Sequence, residues 1–171
     1  MGLKGKKVAF IGAGNMAEAI IRGLLKADVV AAPDILATGR RQERIDDLHR
    51  LYGLTVTLDN SEAAKQADVV VLCVKPQILE KVLSEIAGSI SPDALVISVA
   101  AGITMQQIGA HLSEQARICR SMPNMPSVVG AGAAALACGK HLTDEDKQMA
   151  HELFESCGLA VELHEESLLD A

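Results

Sequence analysis

Aromatic side chains are scarce: the 171 residues include no tryptophan, one tyrosine (Tyr52) and two phenylalanines (Phe10 and Phe154). Three rings are too few for the stacking platforms that bind single-stranded nucleic acid. Positive charge is also short. Sixteen Lys+Arg stand against 22 Asp+Glu, for a net charge of −6, so the basic footprint of a nucleic-acid binder is missing. Long apolar runs are missing too. The longest nearly apolar stretch, 67–74, contains Asp68 and falls far short of the ~20 residues of a membrane span. Near the N-terminus, Lys4, Lys6 and Lys7 precede a strand-like run too short for a secretion signal, so the chain is expected to be cytoplasmic.

Cysteine is infrequent and unpatterned. Cys73, Cys119, Cys138 and Cys157 form no C-x-x-C pair, and the histidines at 49, 111, 141, 151 and 164 show no ligand spacing. Buried reduced thiols are expected, and no metal.

What is present is ordinary globular material, 49% hydrophobic and 22% charged, long enough for about one domain of roughly 150 residues. Short β-branched runs at 7–11, 35–38, 54–57, 69–74, 95–99 and 117–122 alternate with helical stretches at 16–26, 42–52, 61–66, 77–87 and 104–111. Several runs are apolar on both faces, the pattern of parallel strands covered by helices on both sides. The alternation predicts an α/β fold: a doubly wound, Rossmann-type, mostly parallel sheet. Runs at 132–138 and 160–163 read as extra C-terminal strands of undetermined direction, with a last helix from Thr143 to Ser156 between them. Asn60 and Ser61 are candidate caps of the third helix, and Pro76 sits in the first turn of the fourth.

The strongest chemical signal is Gly12-Ala13-Gly14-Asn15-Met16-Ala17, a G-x-G-x-x-A between the first strand and the first helix. Gly12 permits the tight turn, Gly14 lets a pyrophosphate approach the backbone, and Ala17 is small enough for close helix–strand packing. Free amides and the positive helix end then hold the phosphates. The end of the second strand decides which dinucleotide. Asp34 lies at the wrong end of that strand, while its carboxyl end reads Thr38-Gly39-Arg40-Arg41. Guanidinium groups pair bidentately with phosphate, so NADPH is expected to bind more tightly than NADH. The alternative is that Arg40 and Arg41 only begin a solvated helix.

Further strand ends face the same cofactor. Lys75, in Val74-Lys75-Pro76-Gln77, is suited to a ribose hydroxyl or a phosphate, or is a plain surface lysine. Ala100-Ala101-Gly102 permits close backbone approach, or is simply a small-residue turn. Met122-Pro123-Asn124-Met125-Pro126 reads as an extended segment that places the Asn124 amide for a carboxamide or small polar substrate, unless Asn124 only forms a turn.

Together these residues resemble the pyrroline-5-carboxylate reductase family. The resemblance rests on 10–16, 74–77 (V-K-P-Q), 98–104 (containing A-A-G-I-T), 120–124 (containing M-P-N) and Leu168-Leu169-Asp170-Ala171, in that order along the chain. It implies reduction of 1-pyrroline-5-carboxylate to L-proline with a nicotinamide cofactor, the last step of proline biosynthesis. It also implies cofactor contacts at Gly12, Ala13, Gly14, Asn15, Met16, Gly39, Arg40, Arg41, Asn60, Cys73, Val74, Lys75, Pro76, Ala100 and Ala101, with Asn124 near the nicotinamide. The cofactor carries the hydride and the protein aligns it, so no catalytic role falls to His111 or His164.

The sequence departs from the family at Met125, where Thr is common. It also stops before the Gly/Ser-rich segment and helical domain through which family members form homo-oligomers and build most of the substrate pocket. Residues 1–163 are therefore read as the NADP-binding domain and 164–171 as the start of a connection, with Leu168 and Leu169 expected to be exposed. As an isolated piece it is expected to bind NADPH and turn over weakly or not at all. The competing readings are a related deazaflavin (F420-type) or NADP-dependent imine or keto reductase domain, and a non-catalytic dinucleotide-binding module.

Overall fold

Val8 to Ile11 bury all four of their side chains, which requires an apolar layer on each side of the strand they form. A computed structural model describes residues 2–124 and 131–171 and shows both layers. In chain order the elements are β1 (Val8–Ile11), α1 (Asn15–Lys26), β2 (Ile35–Thr38), α2 (Gln42–Tyr52), β3 (Thr55–Thr57), α3 (Asn60–Gln66), β4 (Val69–Leu72), α4 (Pro76–Ile86), β5 (Leu95–Ser98), α5 (Met105–Leu112), β6 (Arg117–Asn124), β7 (Gly132–Cys138), α6 (Asp144–Glu155) and β8 (Gly158–Leu163). Short 3-10 turns occupy Ala32–Asp34 and Glu166–Asp170.

The sheet order is β3-β2-β1-β4-β5-β6-β7-β8. Strands β1 to β6 run parallel, β7 is antiparallel to β6, and β8 is parallel to β7. This is the doubly wound arrangement expected from the alternation, with its order reversing between β1 and β4. The extra strands gain their direction here. The β6–β7 connection includes residues outside the described set, among them Met125 and Pro126.

Each face of the sheet carries a core. On one, Phe10, Ile35, Val71 and Ile97 meet Ile20, Ile21 and Leu24 of α1 and Met149, Leu153 and Phe154 of α6. On the other, Ile11, Leu36, Leu72 and Val96 meet Ala63 of α3, Leu79, Val82 and Leu83 of α4, and Ile108 of α5. Burying each large aliphatic contributes roughly 1.5–3 kcal/mol. Gly23 lets α1 close on the turn between α6 and β8, since a Cβ there would meet Cys157 Sγ at 2.6 Å and Ser156 O at 2.9 Å.

Caps depart from expectation in one place. Asp59, not Asn60 or Ser61, caps α3: its carboxylate accepts from Ser61 N at 2.9 Å and Glu62 N at 3.2 Å. Asn60 already has helical geometry, which takes its side chain out of the capping position. Thr104 caps α5 and Thr143 caps α6, each in a capping box.

Strand β6 runs two residues beyond the expected 122, so Pro123 and Asn124 are paired with Ala134 and Ala133. Met122, Ala135 and Val161 share a register row, as do Asn124, Ala133 and Leu159. Met122, Leu159 and Val161 are exposed on that face. Near the C-terminus Leu169 is buried while Leu168 is exposed, so exposure of both leucines does not hold: the 3-10 turn folds Leu169 against the sheet.

Candidate functional site

The carboxyl ends of β1, β2, β4, β5 and β6 lie along one edge, and the glycine turn stands where the strand order reverses. Gly12 has φ +94°, and a Cβ there would come within 2.7 Å of Val74 Cγ1 and 3.1 Å of Val74 N. The residue is glycine on both counts. Gly14 is different. It is exposed at the N-cap of α1, caps without any side chain, and has nothing within 4 Å of where a Cβ would stand. The start of α1 is therefore bare backbone facing open space, flanked by exposed Asn15 and half-buried Met16, with buried Ala17 behind it.

Two residues fix this turn that sequence reasoning did not single out. Thr38, fully buried at the end of β2, accepts from Gly12 N through its Oγ1 at 3.2 Å and from Ala13 N through its carbonyl at 2.6 Å. Arg44 reaches over from α2, donating from Nε to Ala13 O at 2.9 Å and from Nη2 to Gly14 O at 3.3 Å. The same guanidinium pairs with Glu18 at 2.8 Å, and Glu18 accepts from the Tyr52 hydroxyl at 2.6 Å. That hydroxyl, and then Arg44, hold the Glu18 carboxyl below its ordinary value against the opposing effect of burial. A hydroxyl ending a strand is a weak sequence signal. An arginine three residues beyond Arg41 looks like any solvated helical residue until α2 is placed.

Beyond Thr38, Gly39 packs so that a Cβ would meet Ile45 Cγ2 at 3.1 Å. Arg40 and Arg41 are exposed, Arg41 at the N-cap of α2. Neither makes an ion pair among the described residues, where Arg22, Arg44, Arg50, Arg117 and Arg120 all do. Asp34 closes the 3-10 turn before β2, at the opposite edge of the sheet.

At the next strand ends, Cys73 N bonds Ile11 O at 2.9 Å, tying the β4–α4 loop to β1. Cys73 packs against the core, and burial pushes its thiol up to about 12. Lys75 is the exposed N-cap residue of α4, followed by Pro76 in the first turn. Ala100 is buried, Ala101 is exposed, and Gly102 turns the chain with φ +74°. Asn60 is half-buried at the start of α3, and Asn124 is exposed at the end of β6. Met125 lies outside the described residues.

Arg120 anchors the far side of this edge. It is fully buried on β6, and its Nη1 pairs with Glu166 and with Asp170, each at 3.0 Å. Asp170 also accepts from Gly102 N at 3.3 Å, and Glu166 from Met105 N at 2.6 Å. The guanidinium lowers the Asp170 carboxyl below its ordinary value. The 3-10 turn is thereby tied to the Ala-Ala-Gly loop. Among the described residues, no helix is long and apolar enough to cross a membrane, and no group of three or more His, Cys, Asp or Glu is placed to hold a metal ion.

Residues 7–102 match the family model described as NADP oxidoreductase coenzyme F420-dependent. Among curated relatives, the chain is 38% identical over 169 residues to a pyrroline-5-carboxylate reductase of Methanosarcina acetivorans, covering 99% of this chain and 62% of that protein. Among solved structures it resembles a pyrroline-5-carboxylate reductase from Coxiella burnetii with TM-score 0.90 and 35% identity, covering 96% of this chain and 61% of that one. It also resembles the Plasmodium falciparum pyrroline carboxylate reductase with NADP bound, at TM-score 0.86 and 27% identity, covering 98% and 61%. The chain spans about three fifths of the length of the curated relatives it matches.

Proposed function

The chain belongs to the NADP oxidoreductase coenzyme F420-dependent family, and we propose that it is the cofactor-binding part of a cytoplasmic reductase that converts 1-pyrroline-5-carboxylate to L-proline with NADPH in preference to NADH. The observation that carries this reading is the uncapped, unobstructed α1 start beside two arginines that lack ion-pair partners among the described residues. The residues fit the cofactor: the first-turn amides of Asn15 and Met16 suit a diphosphate, while the Gly14 amide is held by Gly12 O at 2.9 Å, and Arg40 and Arg41 suit a further phosphate. Gly39, Asn60, Cys73, Val74, Lys75, Pro76, Ala100 and Ala101 would line the rest, with Asn124 toward the nicotinamide end. When bound, that cofactor supplies the hydride.

What this chain does for the reaction is alignment. Thr38 and Arg44 hold the glycine turn in one geometry, and the tie from Asp170 to Gly102 holds the Ala100-Ala101 loop. Prior ordering of such parts is what lowers the entropic share of a barrier. We further propose that residues 1–163 form the nucleotide-binding domain and that 164–171 lead toward a helical part that builds most of the substrate pocket and the homo-oligomer. The exposed Met122, Leu159 and Val161 beside β8 and the fraction of the relatives' length spanned support this.

Fluorescence titration of the chain with NADPH, NADH and a reduced deazaflavin tests the reading. Tightest binding of NADPH is expected. Tightest binding of the deazaflavin would favour the other chemistry named in the family's description, and saturable binding of none would sink the proposal. Little turnover of pyrroline carboxylate is expected from this chain by itself.

A further inference from the structure

In the antiparallel β6–β7 pair, Cys119 stands directly opposite Cys138. Gly139 N donates to Ile118 O at 2.9 Å, which marks the adjacent 118/139 row as hydrogen-bonded and, by alternation, 119/138 as a non-hydrogen-bonded row. Such rows bring opposing Cα atoms to about 4.5 Å, within the roughly 4.4–6.8 Å that disulfides span. Both residues sit on the face covered by α6, Cys119 within the core and Cys138 packed against it. Access differs between them: Cys119 is fully buried, whereas Cys138 is half-buried.

The surroundings favour Cys138 as the reactive member. The neighbouring Cys119 thiol brings its pKa below the ordinary value, against burial and Glu162 of β8, and Lys147 of α6 assists. Cys119 is pushed well above the ordinary value, first by Cys138 and then by burial. The thiolate therefore forms on the side that a small oxidant can reach. Cys73 stands in the β4–α4 loop and Cys157 just before β8, on other elements.

We propose that Cys119 and Cys138 form a reversible oxidation site that closes to an intramolecular disulfide when the protein meets hydrogen peroxide. The Cys138 thiolate attacks one peroxide oxygen; an S–O bond forms, the O–O bond breaks, and the departing hydroxide takes a proton to become water. Cys119 then gives up its proton and attacks the Cys138 sulfur; the S–S bond forms, the S–O bond breaks, and a second water leaves. The two sulfurs lose two electrons in all, and the peroxide is reduced to two waters. The bond would clamp β6 to β7 on the strand that ends in Asn124.

Exposure of the purified chain to hydrogen peroxide tests this. Free thiols are expected to fall from four to two, and the intact mass to fall by two hydrogens. Non-reducing digestion should give one linked peptide pair carrying Cys119 and Cys138, and dithiothreitol should reverse all three changes. Cys138→Ser should keep its three remaining thiols at the same dose. Oxygen added at Cys138 without a bridge would overturn the proposal. So would a linked peptide through Cys73 or Cys157, covalent dimers in place of the internal bridge, or a Cys138→Ser protein that loses two thiols. If that variant fails to fold, peptide mapping of the unaltered chain decides by itself.

Discussion

Arg44 on α2 donates from Nε to the carbonyl oxygen of Ala13 at 2.9 Å, so a residue outside the glycine motif holds the motif's own backbone. Replacing it with alanine removes this bond, the one to Gly14 and the pair with Glu18. Arg44→Ala is expected to weaken NADPH binding about tenfold, the equivalent of ~1.4 kcal/mol, and to lower the melting temperature. Arg44→Lys should not restore binding, because an ammonium cannot reproduce the guanidinium fork. Titration and thermal denaturation of both variants check this; binding at the original affinity in Arg44→Ala would show that the turn holds its shape unaided.

The two glycines of the motif should fail differently. Gly12→Ala sets a Cβ against Val74 at φ +94° and is expected to cost about 1–3 kcal/mol of stability, with binding lost as the turn shifts. Gly14→Ala adds a methyl group in open space at an ordinary φ of −94°. It should keep most of the stability and lose NADPH affinity. Equal melting temperatures for the two variants would contradict this division.

Removing both exposed arginines tests whether they meet the cofactor's extra phosphate. The double variant Arg40→Ala/Arg41→Ala is expected to bind NADPH at least about tenfold more weakly, since charge-assisted bonds contribute ~1.5–3 kcal/mol each. NADH affinity should be nearly unchanged. The gap should also narrow in the unaltered chain as salt is raised, because both side chains face solvent. An unchanged preference in the double variant would remove the assignment of these arginines.

Acid stability should depend on two carboxylates. Glu18 is held below its ordinary value of 4.5, first by Tyr52 and then by Arg44, and Asp170 below its ordinary value of 3.8, first by Arg120. A depressed carboxylate contributes stability that is complete above its ordinary pKa and is lost as pH falls through the native one. Urea midpoints should therefore hold near neutrality and decline below about pH 4.5. Glu18→Gln with Asp170→Asn should flatten that decline while lowering stability at neutral pH. An equally steep decline in the double variant would move the acid sensitivity to other groups.

The doubly wound, mostly parallel sheet was legible because β1, β2, β4 and β5 are apolar on both faces, a pattern that few other arrangements satisfy. The glycine turn was legible because Gly12 and Gly14 answer local requirements of backbone and ligand. Direction in β7 and β8 was not, since neither the alanine-rich β7 nor the largely exposed β8 carries a pattern that marks its direction until its neighbours are set. The cap of α3 falls just before the two candidates Asn60 and Ser61 because Asp59, Asn60 and Ser61 are all good caps, and only the helix's first hydrogen bonds choose among them. Thr38, Arg44 and the facing of Cys119 with Cys138 depend on contacts between elements far apart in sequence. So does Leu169, which is buried because Arg120 draws Glu166 and Asp170 onto the sheet. No local pattern announces these.

Thr38 closes β2 with its hydroxyl on one turn amide and its carbonyl on the next, and the chain then passes directly to Gly39, Arg40 and Arg41. A single residue, through its side chain and its own carbonyl, thus acts as the jaw stop of a calliper whose two tips are the α1 head and the arginine pair. That separation is set when the chain folds; on the reading proposed above, a dinucleotide whose phosphates are spaced differently would meet a misfit of length rather than of charge.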